Sequence, residues 1–259
     1  MKLIFTLVLL SFFNICSSVC FAQADTHYFK VGKYNFRGVH VDTNYSTTLR
    51  ITDGNDVIFK GEFEETIDTV FQIDMNKDGS KTIFMNTYTG GAHCCNILYA
   101  CKIKNDKFTI TDTLFLADSY FDILDLDRNG KFQLRAYNMM FAYAFTNFAE
   151  TRAPEVVYSF ANGRFKNVTK NYPALLEAQI DEWSTDLKAI LDGAFKCEPD
   201  GEETFNTDAG SVKTLLAAIT ANYYTMGEVY KGYDLINESY TCPDKEAFVK
   251  ILQEDYKLK

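Results

Sequence analysis

The chain has 259 residues and a net charge of −9 at neutral pH. Its acidity is concentrated in the C-terminal third. Residues 173–259 carry 8 Lys and Arg against 17 Asp and Glu, whereas residues 25–172 carry 17 against 18. This balance argues against nucleic acid and against anionic membrane surfaces as partners.

The first 24 residues have the features of a targeting segment. Lys2 supplies a positive start, residues 3–13 are almost continuously apolar, and Ala22-Gln23-Ala24 is a small-x-small cleavage pattern. The apolar run is too short to cross a bilayer comfortably. We therefore expect a signal peptide at residues 1–24 and a periplasmic or secreted mature chain without a membrane span. An uncleaved anchor is the alternative.

The next region, from Tyr28 to about Thr169, has the pattern of β-structure. Short runs rich in Val, Ile, Phe, Tyr and Thr alternate with polar residues and are separated by Gly-Asn or Asn-Gly turns. The predicted strands are Thr47–Thr52, Val57–Phe63, Thr69–Asp74, Thr82–Thr89, Cys95–Ile103, Lys107–Phe115, Phe121–Leu126, Phe132–Tyr137, Glu155–Phe160 and Arg164–Val168.

The pattern becomes helical at Pro173, which suits the first position of a helix. Apolar residues then recur every three or four positions as far as Leu191. Further helices are predicted over 211–224 and 243–256, with a short piece around 227–238. The chain is thus predicted to be α+β: a mainly antiparallel, propeller-blade-like β region over 25–172, followed by a small acidic helical domain over 173–259. About 145 β residues make two or three four-stranded blades, too few to close a propeller.

Two acidic loops repeat one pattern 51 residues apart. Asp74-Met75-Asn76-Lys77-Asp78-Gly79 and Asp125-Leu126-Asp127-Arg128-Asn129-Gly130 place oxygen-bearing side chains at positions 1, 3 and 5 and glycine at position 6. Such spacing points alternate side chains at one centre, and Ca²⁺ prefers these hard oxygen ligands. An EF-hand is excluded, because position 12 is Met85 or Ala136 instead of Glu. The alternative is a pair of turns stabilised by local hydrogen bonds alone.

These loops and their flanks, Phe71-Gln72-Ile73-Asp74 and Ile123-Leu124-Asp125, resemble FG-GAP or VCBS-type calcium-loop repeats over roughly residues 65–170. The resemblance implies Ca²⁺ held between strands of propeller-like blades. The family usually has an acid at position 9, where this chain has Thr82 or Gln133. The ligands implied by the resemblance are Asp74, Asn76 and Asp78 in the first loop, and Asp125, Asp127 and Asn129 in the second.

A narrower likeness begins at Gly90-Gly91-Ala92-His93-Cys94-Cys95 and continues through Phe141–Phe145 to Gly163–Thr169. These segments resemble an uncharacterised family of bacterial exported proteins. The likeness covers about 100 residues and implies no known activity.

His93 and the adjacent cysteines allow three interpretations. His93 and Cys95 could form a thiolate nucleophile, or His93 and a cysteine could bind a soft metal. The third and favoured interpretation is structural disulfide chemistry. Cys95 and Cys101, predicted on one strand, would lie roughly 20 Å apart, which is too far for a bond. Two alternatives are then left: a disulfide between the neighbouring residues Cys94 and Cys95, or a separate partner for each cysteine. A disulfide between Cys197 and Cys242 is easier to form. Cys101 is then the cysteine left without a disulfide partner.

The sequence favours an exported, non-catalytic binding protein with an unknown protein or glycan partner. One alternative is an extracytoplasmic hydrolase with its site near His93. Another is an inhibitor that binds a basic secreted enzyme through the acidic helical domain.

Overall fold

The structure is a computed structural model that describes residues 24–41, 46–199 and 201–259. The predicted signal peptide lies outside these residues, except for Ala24, which begins the first strand.

The described residues form twelve strands in three antiparallel sheets, each made from four strands that are consecutive in the chain. Sheet A contains β1 (Ala24–Val31), β2 (Tyr34–Val41), β3 (Ser46–Asp53) and β4 (Asp56–Phe63). Sheet B contains β5 (Thr66–Ile73), β6 (Thr82–Tyr88), β7 (Asn96–Lys104) and β8 (Lys107–Ala117). Sheet C contains β9 (Asp122–Leu124), β10 (Gln133–Tyr137), β11 (Glu155–Ala161) and β12 (Arg164–Asn167).

Sheet B lies between the other two, and its central strands are buried on both faces. On β6, Ile83 and Met85 join the core shared with Phe36 and Leu49 of sheet A. Phe84, between them, joins the core shared with sheet C. This alternation is the period of two that a strand imposes on its side chains. The three sheets therefore stack as blades of an incomplete propeller.

Four helices follow the sheets: α1 (Pro173–Leu191), α2 (Asp208–Met226), α3 (Val229–Ser239) and α4 (Lys245–Glu254). Thr207 caps α2 by accepting a hydrogen bond from the Gly210 amide, and Gly227 ends the helix with a positive φ of 81°. Residues 212–222 of α2 are all buried. The amphipathic helices around α2 supply the remaining walls of this core.

The segment between β10 and β11 joins the helices to the sheets. It contains two short 3-10 helices, Met139–Phe141 and Phe148–Glu150, and a third such turn, Thr169–Asn171, precedes α1. Phe141 and Phe145 belong to the helical core, together with Trp183. Residues of the predicted β region therefore complete the hydrophobic core of the helices.

The predicted α+β class, with antiparallel blade-like sheets and C-terminal helices, is confirmed. Strands β1 and β2 were not among the predicted strands, and β7 begins at Asn96 instead of Cys95. Within the described part of the chain, no helix is both long enough and apolar enough to cross a membrane.

Candidate ion loops and the His93 surface

The first acidic loop connects β5 to β6 and folds around the carboxylate of Asp74. Oδ1 of Asp74 accepts hydrogen bonds from the amides of Asn76 and Asp78, both at 3.2 Å, and Oδ2 accepts one from Gly79 at 2.7 Å. Asp78 in turn accepts the amide of Ser80 at 2.8 Å. The loop is thus a closed turn with its acidic side chains tied to its own backbone.

The second loop, between β9 and β10, repeats three of these four hydrogen bonds at the same positions. The amides of Asn129 and Gly130 donate to the two oxygens of Asp125 at 2.9 and 2.8 Å. Asn129 then accepts the amide of Lys131 at 2.8 Å. Two segments with different sequences therefore form the same hydrogen-bonded turn.

The backbone conformations of the two loops also agree. Position 4 has a positive φ in both, 56° at Lys77 and 55° at Arg128. Position 6 has φ of 84° at Gly79 and 83° at Gly130. Glycine adopts this conformation without the steric cost that a Cβ brings, so the turn explains the glycine at position 6.

Asp74 is held in its ionised form by its own loop. Desolvation raises the pKa of this carboxyl. Hydrogen bonds from the amides of Gly79, Asp78, Asn76 and Lys77 together lower the pKa by a larger amount, so it lies below the ordinary value. Hydrogen bonds to a carboxylate favour its charged form, which is also the form that binds a cation.

The loops contact each other. The Phe132 amide, just after the second loop, donates to the Met75 carbonyl of the first at 2.8 Å. The Lys77 side chain lies against Gly130, where an added methyl group would be 2.6 Å from Nζ. The six predicted ligand residues thus belong to two adjacent turns of equal geometry.

The oxygen chemistry of each turn fits a hard cation such as Ca²⁺. Each contributes two carboxylates and one carboxamide. Position 9 differs from the family pattern: the Gln133 side chain accepts the amide of Leu126 at 3.0 Å and lies 3.4 Å from Asp127. Within the described ranges, no group of three His, Cys, Asp or Glu side chains is arranged to hold a metal. Any ion in these turns would therefore need backbone or water oxygens as additional ligands.

His93 lies in the loop between β6 and β7 and is exposed. Its ring centroid is 4.4 Å from that of Phe148 and 5.9 Å from that of Tyr143, both in the segment that joins the sheets to the helices. Residues 90–95 form a loop, so His93 and Cys94 do not lie on a strand.

Cys94 and Cys95 are joined as a vicinal pair across a cis peptide bond. The Cys94 amide donates to the carboxylate of Asp118. The Cys95 amide donates to Oγ1 of Thr89 at 2.6 Å. The pair is therefore anchored to the residues that directly follow β6 and β8.

The remaining cysteines among the described residues are buried or bonded. The sulfurs of Cys197 and Cys242 lie 2.06 Å apart with Cα atoms at 5.3 Å, which is disulfide geometry. Cys101 is buried, and burial raises the pKa of its thiol to about 12. It is therefore protonated and unreactive at neutral pH.

A cleft of about 380 Å³ lies beside Phe148, between sheet C and α1. Its walls include Tyr137, Trp183, Glu155 and Glu182. Burial raises the pKa of Glu155, and the partial charge compensation by Arg135 does not cancel this effect. Oε2 of Glu155 is buried without a hydrogen-bond partner among the described residues. Nothing in the sequence around Glu155 signalled this cleft, since its walls come from segments about 50 residues apart.

Comparisons with known proteins give one distant relative. A probable thylakoid lumen protein of Synechocystis sp. is 24% identical to this chain over 187 residues. The match covers 70% of this chain and 51% of that protein, so the chain spans about half the length of the curated relative. No family model matches the chain, and no solved structure matches it.

Proposed function

We propose that the protein is an exported, non-catalytic binding module whose β scaffold is stabilised by Ca²⁺ in the two acidic loops. The observation that carries this proposal is the repetition of one turn at Asp74 and Asp125, with the same donor and acceptor positions. A turn needed only to reverse the chain would not require an oxygen-bearing side chain at all three of positions 1, 3 and 5.

The position of the loops explains how bound ions would act on the scaffold. The first loop joins two strands of sheet B, the second joins two strands of sheet C, and the Met75–Phe132 hydrogen bond links them. Ions at this junction would restrain the packing of the two blades. The calcium-loop resemblance supports the same interpretation.

Export is supported by two independent features. The first 24 residues have the composition of a signal peptide. The relative from Synechocystis is named as a protein of the thylakoid lumen, a compartment outside the cytoplasm. We place this protein in a periplasmic or secreted location, where calcium is available to weak sites.

Thermal melting in EDTA and in millimolar CaCl₂ tests the proposal. Saturation of one site at 100 times its dissociation constant stabilises by about 2.7 kcal/mol. For a protein of this size, that corresponds to a rise in Tm of roughly 5–10 °C. The double variant Asp74→Asn, Asp125→Asn should lose the rise. Asp106→Asn, an acid in an ordinary hairpin turn, should retain it. An equal Tm in EDTA and calcium would refute calcium stabilisation.

A hydrolase is the second candidate, favoured by the raised pKa of Glu155 in the cleft beside Phe148 and His93. A carboxyl in a cleft whose pKa is raised is better suited to act as a general acid than one with an ordinary pKa. Hydrolysis of a panel of glycoside and ester substrates by the protein, abolished by Glu155→Gln and retained by Glu182→Gln, would favour this candidate over the binding module.

A further inference from the structure

The outward face of sheet A carries a row of cations that crosses its strands. Arg37 on β2 is directly opposite Arg50 on β3, and Arg50 is directly opposite Lys60 on β4. Tyr28 on β1 is opposite Arg37 and extends the same row. All four residues are exposed, and Tyr28 retains 71% of its accessible surface. We call these four residues the basic row.

The cations that lie directly opposite each other in the basic row destabilise the folded state. Side chains directly opposite on neighbouring strands have Cβ atoms about 5 Å apart, and like charges at that distance are destabilising. Within the described residues none of the three cations forms an ion pair. Arg37 instead donates from Nε to the Tyr28 hydroxyl at 3.2 Å, with its guanidinium 5.8 Å from the centre of the ring.

Two arginines elsewhere on the sheets have acidic neighbours. Arg135 on β10 pairs with Asp122 of β9 at 2.9 Å, and Arg164 on β12 lies 3.4 Å from Asp112 of β8. In the described strands of sheet A, the same outward face also carries Lys30 and one acid, Glu62, which is opposite Thr48. Among these described residues, four cations against one acid give the face a net charge of +3, in a chain whose total is −9.

We propose that the basic row binds an acidic polysaccharide, a linear glycan with carboxylate or sulfate groups along its length. Neighbouring strands are about 4.8 Å apart, so the three cations form a line about 10 Å long instead of a cluster around one anion. Arginine binds carboxylate and sulfate-like groups through two parallel hydrogen bonds. Tyr28 ends the line with an exposed ring and hydroxyl, which suit the apolar and polar faces of a sugar.

A glycan fits these observations better than the other polyanions. Duplex nucleic acid and anionic membranes carry charge over an area wider than this row, and the −9 charge of residues 173–259 opposes the approach of such broad anionic surfaces. A single glycan strand can contact the row alone. This inference rests on the proposed function, because it names the partner class of that exported module.

Binding of polygalacturonate to the full chain, measured by calorimetry in EDTA at two salt concentrations, tests the inference. Binding should weaken as salt rises. It should also be absent with fully methyl-esterified polygalacturonate, which lacks the charges. The triple variant Arg37→Gln, Arg50→Gln, Lys60→Gln should weaken binding by roughly tenfold or more, because each lost partner is a charge-assisted hydrogen bond. The control Lys166→Gln, Lys170→Gln, Lys188→Gln changes the net charge equally and should bind as the unchanged chain does.

Three outcomes would overturn the inference: equal loss in both triple variants, equal binding of the esterified polymer, or tighter binding of poly(dT) or of anionic phospholipid vesicles than of the glycan. The basic-row variant should melt at the same temperature as the unchanged chain or higher, since repulsion is removed. Calcium-dependent melting of the same samples separates the two proposals, because it tests the loops and leaves the row untouched.

Discussion

The Phe132 amide donates to the Met75 carbonyl at 2.8 Å, and this hydrogen bond joins two acidic loops that lie 51 residues apart in the chain. Beside it, Lys77 of the first loop lies against Gly130 of the second. The ammonium group of Lys77 therefore lies beside the backbone of the second loop. We expect calcium binding by the second loop to be sensitive to this residue, which is not one of its proposed ligands.

Lys77→Met should strengthen calcium binding by the second loop. In an Asp74→Asn background, where the first loop is impaired, removal of a positive charge near the second ion should tighten binding about two- to fivefold at low salt. Calcium titration calorimetry measures the change. Lys81→Met, the loss of an exposed lysine that does not contact Gly130, should have a smaller effect. Equal affinities for the two variants would contradict the contact.

Glu155→Gln should stabilise the protein at neutral pH. The folded-state pKa of Glu155 is raised by burial, so its contribution to stability is present below the unfolded pKa and is lost as pH rises through the folded pKa. The variant should melt at a higher temperature than the unchanged chain at pH 7 and at the same temperature near pH 4. Glu182→Gln, an exposed acid of the same cleft, should show no such pH-dependent difference.

Gly232→Ala tests the close packing of α3 against α2. A Cβ at this position would lie 2.7 Å from Cα and Oγ1 of Thr220. The Thr220 hydroxyl is bonded to the Leu216 carbonyl at 2.7 Å and has little room to move. Overpacking should cost about 1–3 kcal/mol, partly offset by the better helix propensity of alanine. Asn237→Ala, on the exposed side of α3, should change the free energy of unfolding by less than about 0.5 kcal/mol.

Loss of the Cys197–Cys242 bond should destabilise the helical region. The bond closes a loop with a sequence separation of 45 residues, and the chain-entropy estimate for that length is about 4 kcal/mol. Urea unfolding of Cys197→Ala, Cys242→Ala under oxidising conditions measures the loss. Cys101→Ala removes a buried cysteine that forms no disulfide, and its free energy of unfolding serves as the control. A double variant as stable as the unchanged chain would show that these cysteines are not bonded.

The periodicity of apolar residues was sufficient to predict most of sheets B and C and the helices α1, α2 and α4. Helix α3 was expected only as a short helical or irregular piece. Strands β1 and β2 were not predicted, because charged and polar residues such as Lys30, Asn35 and Arg37 occupy their outward face. The basic row depends on the pairing of β2 with β3 and of β3 with β4, and a one-residue change of register would remove it. The contact of His93 with Phe148 crosses 55 residues of chain and depends on how the joining segment packs, which periodicity does not specify.

The number of calcium ions bound per chain, measured by equilibrium dialysis, tests the central claim most directly. We expect two ions for the unchanged chain and for Asp106→Asn, and fewer for Asp74→Asn and for Asp125→Asn. Absence of bound calcium at millimolar concentration, or binding that survives the double loop substitution, would contradict calcium binding by the two loops.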